Sequence, residues 1–146
     1  FKQPVLTANG TLGGDSFAVT GKSVYSGAYW NAFDNNTSTI WHSSGGMPQW
    51  LTMYNPKALK LKKLTITTSN HSGHKGVTAG TVLGSNDNAT WEHICDWTND
   101  VTAQGATWEI VVNSQKYYKY HQLNITKTAY NPWLGACAVI AEIKSF

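Results

Sequence analysis

The chain has no arginine. Its eleven cations are all lysines, set against eight acidic residues, for a formal net charge of +3 over 146 residues. The guanidinium fork that grips phosphates and guanine edges in pairs is therefore missing, which argues against a nucleic-acid partner. Charged residues make up only 13% of the chain. No apolar run approaches the roughly 18 residues that would span a bilayer, so no membrane-inserted helix is expected. The two cysteines, Cys95 and Cys137, lie in apolar strand-like segments and read as free buried thiols or as one disulfide. No CxxC or clustered Cys/His spacing points to zinc. A ten-residue helical pattern is also absent.

Catalytic signatures are missing too. Gly13-Gly-Asp-Ser16 lacks the GxSxG spacing and strand–turn–helix setting of a nucleophile elbow. No glycine loop could cradle a phosphate. The acids are Asp15, Asp34, Asp87, Asp96, Asp100, Glu92, Glu109 and Glu142. They offer no evident pair for glycoside hydrolysis, which needs two carboxylates across one bond, and Asp87 reads as a turn former in Ser85-Asn-Asp-Asn88. A non-enzymatic role is expected. With neither initiator Met nor signal peptide, the chain reads as part of a longer protein.

The chain is instead rich in Thr, Ser, Asn and Gly, with seven Trp and seven Tyr. Its length suits one domain, residues 1–146, with a sizeable core. Short apolar runs separated by Gly, Asn, Asp and Ser give an all-β pattern. Eight strands are expected, near Ser16–Thr20, Gln49–Tyr54, Leu59–Thr68, Gly80–Ser85, Glu92–Trp97, Thr107–Val112, Tyr117–Thr126 and Cys137–Phe146. The apolar parity changes between Leu61 and Leu64, and again between Tyr120 and Leu123. An inserted residue flips the faces of a strand, so a bulge or break is expected at each place. Many short strands favour a sandwich or jelly roll. Lys57, Lys60, Lys62 and Lys63 form the basic cluster, read as a solvated edge or loop after Pro56.

The most informative stretch is Asn31–His42. It packs Asp34, Asn36, Thr37, Ser38 and Thr39 between the aromatic anchors Phe33 and Trp41. Ca²⁺ takes six to eight oxygens from carboxylates, carbonyls and hydroxyls. An oxygen-rich turn joined by one distant carboxylate could supply them.

The segment Ala32-Phe-Asp-Asn-Asn-Thr-Ser-Thr-Ile-Trp-His-Ser43 resembles the signature loop of the discoidin domains, the coagulation-factor C-type domains and the family 32 carbohydrate-binding modules. The likeness continues in order through Pro48-Gln-Trp-Leu51, Leu83-Gly-Ser-Asn-Asp-Asn-Ala-Thr-Trp91, Tyr118-Lys-Tyr-His-Gln-Leu-Asn-Ile125 and Ala138-Val-Ile-Ala-Glu-Ile143. Thr7–Phe17 further resembles discoidin-like modules attached to phage and prophage tail proteins. The resemblance implies a discoidin-type jelly-roll β-sandwich of about eight strands. It also implies an extracellular, cell-surface or virion setting within a larger, multivalent parent.

By that resemblance a structural Ca²⁺, or Na⁺, would be bound by the carboxylates of Asp34 and Glu142, by Thr39, and by main-chain carbonyls of Asn31, Asn36 and Ala141. Asn35 stands where the family usually has Gly, and Asn tolerates the turn. The alternative is that Asp34 and Glu142 only cap the loop by accepting from backbone amides.

The resemblance also places a non-catalytic glycan site. His42 matches the sugar-gripping His, and Trp133, beside Tyr130 in a Pro/Gly-bounded loop, matches the stacking aromatic. The family's Arg and Asn are replaced by Asn70, His71, His74 and Lys75, so a terminal galactose-type sugar is implied by position rather than by those residues. His71 and His74 also read as an exposed pair, and without a third ligand they do not suggest a transition-metal site. The other six tryptophans read as core or edge-covering. The competing reading is a protein- or lipid-binding adhesion module, in which Trp133-Leu134 would be the membrane-facing spike.

Overall fold

The computed structural model describes residues 1–133 and 135–146. Ten strands form two antiparallel five-stranded sheets packed face to face. One sheet has the order β1 (Ala18–Gly21), β4 (Gln49–Leu59), β9 (Tyr118–Thr128), β6 (Val77–Ser85), β7 (Glu92–Thr98). The other runs β2 (Ser26–Gly27), β3 (Trp41–His42), β10 (Val139–Ser145), β5 (Lys63–Thr68), β8 (Thr107–Val111). A 3₁₀ turn at Tyr29–Phe33 leads into the oxygen-rich loop.

The alternating strands behave as their patterns require. In Lys63-Leu-Thr-Ile-Thr-Thr68, Leu64 and Ile66 point inward and are fully buried. Trp108 and Ile110 do the same in β8. They meet Leu51, Met53, Val82, Leu123 and Ile125 of the facing sheet, with Phe33 and Trp41 closing one side. Each such side chain contributes about 1.5–3 kcal/mol by leaving water.

All eight expected strands are present, with corrected limits and two additions. β2 and β3 are two residues each, too short to carry a periodic signal. Leu59–Thr68 is not one strand. β4 runs on through Pro56 to Leu59, and the chain breaks before β5, with Leu61 buried in the turn. The break accounts for the parity change there. Pro56 is accommodated where the β4–β9 register shifts between Tyr54 and Leu59.

The second parity change needs correction. β9 pairs with β4 in unbroken register from Tyr120 to Ile125. Both of its faces are covered: Leu123 and Ile125 face the core, while Tyr120 packs with Ala18 and Tyr54 beneath Leu12 and Trp91. The segment Thr7–Phe17 supplies part of that cover, with the Tyr54 hydroxyl donating to the Gly14 carbonyl at 2.8 Å.

Trp41, Trp97 and Trp108 are buried, and Trp30, Trp50 and Trp91 are half-buried, as expected of core and edge-covering rings. Cys95 and Cys137 are both free thiols. No helix among the described residues is long and apolar enough to cross a membrane.

Candidate functional site

At one end of the sandwich, loops from both sheets bring six rings together. His42 ends β3, which pairs with β2 on one side and β10 on the other. The amide of Tyr25, just before β2, donates to the His42 carbonyl at 2.8 Å. This sets the Tyr25 ring 5.0 Å from the imidazole of His42. Tyr25 in turn meets Trp133 edge to face, with centroids 6.3 Å apart.

On the other side of His42 stand His74 at 5.6 Å and Tyr130 at 5.7 Å, themselves 4.8 Å apart. His71 stacks on His74 at 5.4 Å. The rings thus run from Trp133 through Tyr25 to the His42–His74–Tyr130 triangle and on to His71.

Local chemistry builds each loop. Between β5 and β6, the Ser69 hydroxyl accepts from the His71 amide and lies 2.7 Å from Nδ1 of His74, and the His74 amide donates to the His71 carbonyl. Between β9 and β10, the Thr128 hydroxyl donates to the Cys137 carbonyl and accepts from the Tyr130 amide. The Cys137 amide returns to the Tyr130 carbonyl, and the Gly135 amide donates to the Pro132 carbonyl. That tight turn leaves Trp133 85% exposed. Leu134, the other half of the expected spike, lies outside the described residues.

The protonation pattern follows from geometry. Nδ1 of His42 sits 2.8 Å from the Ser43 carbonyl, which can only accept, so Nδ1 carries a proton. In the neutral ring Nε2 is then a lone-pair acceptor. His42 is 5% exposed, more buried than a free-standing ligand group. Burial lowers the pKa of His74, as do the nearby charges of His42 and His71. A neutral His74 is favoured at physiological pH.

Asn70 and Lys75 are exposed on the same loop as His71 and His74, but their side chains join no ring of the cluster by a hydrogen bond among the described residues. The Cβ of Asn70 instead lies near Gly105 of the neighbouring loop. Tyr25 is the residue that sequence reasoning missed.

The oxygen-rich loop lies beside β10. Asn35 has φ +57°, the left-handed conformation its turn requires. One Asp34 carboxylate oxygen accepts from the Asn36 amide at 3.0 Å, and the other accepts from the Thr39 hydroxyl. The Asn36 carbonyl accepts from the Thr39 amide and shares the single Thr39 hydroxyl proton with Asp34. Glu142 accepts from the Asn35 amide at 3.2 Å. Asn31 braces the loop through its side-chain amide, which donates to the Ile40 carbonyl. These contacts are the backbone-capping arrangement anticipated as one alternative.

Two features also suit a hard cation. Glu142 is 5% exposed, and its pKa is raised to about 7 by burial first and by the neighbouring charge of Asp34 second. Two carboxylates are thus held together with no ion-pair partner for either among the described residues. Ala141 has no register partner, because the β10–β5 ladder shifts between Ile140 and Glu142. No group of three or more His, Cys, Asp or Glu side chains is arranged to hold a metal ion among the described residues, so a cation here would draw on carbonyls and hydroxyls beyond the two carboxylates.

Fold and site define a discoidin-type β-sandwich with a preformed aromatic and histidine cluster at its loop end. The chain belongs to the F5/8 type C domain family, whose sequence profile matches residues 18–142. Its architecture is shared by CpGH89CBM32-5 from Clostridium perfringens, solved in complex with GalNAc-β-1,3-galactose, at 20% identity and a TM-score of 0.76, covering 89% of this chain and 94% of that one. The family 32 carbohydrate-binding module of C. perfringens NanJ, solved with galactose, is similar at 19% identity and a TM-score of 0.73, covering 88% and 92%. The family 32 module of AlyQ, solved with 4,5-unsaturated mannuronic acid, is similar at 17% identity and a TM-score of 0.71, covering 88% and 93%. A search of curated protein sequences finds no significant match.

Proposed function

We propose that this domain is a non-catalytic glycan-binding module that takes its saccharide on the ring cluster at the loop end. The observation that carries the reading is the pairing of a freely exposed Trp133 with His42, whose Nε2 is held as an acceptor by the Nδ1–Ser43 contact. A sugar offers a flat C–H face and a fan of hydroxyls. An exposed indole suits the face, and fixed nitrogen and phenol groups suit the hydroxyls. The family membership and the sugars named in the similar structures support the same reading.

The preformed loops keep the ordering cost of binding low, yet one open site gives modest affinity, and a multivalent extracellular parent would supply avidity. The oxygen-rich loop is proposed to hold a structural Ca²⁺, or Na⁺, through Asp34, Glu142, Thr39 and the carbonyls of Asn31, Asn36 and Ala141. Such an ion would neutralise the two facing carboxylates and brace the loop that ends in Trp41 and His42.

A glycan array probed with the multimerised domain in calcium-containing buffer tests the function. Hits that share one terminal sugar and vanish on Trp133→Ala support it. Blank arrays from folded protein, with binding to anionic vesicles instead, would replace it with the lipid-adhesion reading.

A further inference from the structure

At the opposite end of the sandwich, the β4–β5 turn and Phe146 frame a groove of about 660 Å³, lined by Phe1, Lys57, Lys60, Lys62, Tyr117 and Phe146. That volume falls within the range of small-ligand pockets. Among the described residues no Asp or Glu side chain lines it; Asp15 and Glu142 line the two grooves that adjoin it. Elsewhere, Lys63 pairs with Glu109 and Lys116 with Glu92. Lys57, Lys60 and Lys62 form no ion pair among the described residues.

The aromatics are as unusual as the charges. Tyr117 is 61% exposed and Phe146 47% exposed, although large apolar side chains are mostly covered elsewhere. The Lys60 ammonium sits 5.0 Å from the Tyr117 ring centroid, and that of Lys63 sits 5.1 Å from the Phe146 ring centroid. The backbone there is firm. The Val112 and Asn113 amides donate to the Lys62 carbonyl, the Ser114 amide donates to Leu61, and the Phe146 amide donates to Lys63. Unpaired like charges held around exposed rings cost repulsion, and an anionic partner would relieve it.

We propose that this groove is a second saccharide site, for a polyuronate chain. Each uronate ring carries one carboxylate and one flat C–H face. Tyr117 and Phe146 offer platforms for the faces, while Lys57, Lys60 and Lys62 offer three separate point charges for successive carboxylates. Sulfated chains and nucleic acids, which crowd charge and favour the bidentate fork, fit a chain without arginine less well. The groove is concave, whereas docking to a lipid surface calls for a protruding apolar face. This site stands independently of the loop-end reading.

Titration of the isotopically labelled domain with a short oligogalacturonate at low salt tests it. Amide shifts are expected around Lys60, Lys62 and Tyr117, and they should persist in Trp133→Ala. Affinity should fall roughly tenfold or more in Lys57→Gln/Lys60→Gln/Lys62→Gln, and by a similar factor when the carboxylates are methyl-esterified, as lost charge-assisted contacts require. Tyr117→Ala should weaken binding while leaving its salt dependence in place. The proposal is overturned if the folded wild type shows no shifts at this groove, if the triple variant keeps its affinity, or if sulfated dextran or anionic vesicles displace the oligogalacturonate from it.

Discussion

His42 and His74 stand edge to face, 5.6 Å between ring centroids at an interplanar angle of 71°. One comes from a two-residue strand in the sheet interior, the other from a loop on the far side of β5. Each is fixed through Nδ1, His42 by the Ser43 carbonyl and His74 by the Ser69 hydroxyl. The two rings therefore meet without freedom to turn away, and protonating one disfavours protonating the other.

That juxtaposition predicts acid-sensitive sugar binding. His74 has its pKa lowered, so its neutral form persists somewhat below the ordinary histidine range as pH falls. Once protonated, both of its ring nitrogens carry N–H, so the lone pair that the neutral ring offers is lost. Binding of a neutral saccharide should hold steady near pH 7 and weaken at acid pH. His74→Gln, which keeps polar groups but cannot titrate, should flatten that part of the profile. Calorimetric titration at several pH values checks this, and a variant profile that still falls with acid would place the titration elsewhere.

Trp133 and His42 should separate binding from stability. Trp133 is so exposed that Trp133→Ala should change unfolding free energy by no more than about 0.5 kcal/mol. Saccharide binding should nonetheless be lost. His42→Ala should cost both, because its buried ring packs against Tyr25, His74 and Tyr130. Tyr25→Ala should weaken binding by releasing the support between Trp133 and His42. Thermal melts run beside binding titrations provide both readouts.

His121 makes the domain sensitive to acid for a different reason. It faces the core from β9, its Nε2 has no hydrogen-bond partner, and burial lowers its pKa to about 4. Between its ordinary pKa near 6.5 and about 4, the unfolded chain binds the proton and the folded chain does not. Stability is therefore full above the upper value and is lost as pH falls through the lower one, by about 3 kcal/mol. His121→Phe should remove that slope, as chemical denaturation between neutral and acid pH would show.

Calcium should reverse a second pH effect. In the metal-free domain, burial and Asp34 favour protonated Glu142, with a pKa near 7. A raised carboxyl pKa gives stability that is present below the unfolded value and lost as pH rises through the folded one. The metal-free protein should thus lose stability as pH rises from the ordinary value of 4.5 through about 7. A bound cation takes the ionised form, so added Ca²⁺ should raise the melting temperature most at the alkaline end. Glu142→Gln should abolish that gain while sparing the metal-free fold. Melting curves with calcium and with chelator decide it, and a response that survives Glu142→Gln would remove Glu142 from the shell.

Strand chemistry was readable along the chain because alternation is local: Leu64 and Ile66 announce β5 by themselves. The loop from Asn31 to His42 was readable for the same reason, since its side chains bond mainly to their own backbone. Asp34 to the Asn36 amide and Asn36 to the Ser38 amide span two residues each. Trp133 stood out because Pro132 and Gly135 bound a turn whatever surrounds it. What the sequence by itself determined is this set of short-range patterns, each enforced by the period of a strand or the reach of a side chain to a nearby amide.

The tertiary structure decided everything that depends on which strands become neighbours. Tyr25 sits in an undistinguished Ser23-Val-Tyr-Ser26 turn, and only the β2–β3 pairing carries it to His42 and Trp133. The parity change in β9 reads as a bulge until Leu12 and Trp91 are seen covering the outer face of the sheet. Lys60 and Tyr117 lie far apart along the chain, and their stacking arises from the meeting of two turns. Burial, long-range pairing and the electrostatics that follow from them are properties of the assembled sandwich, because each requires partners that no local stretch of sequence contains.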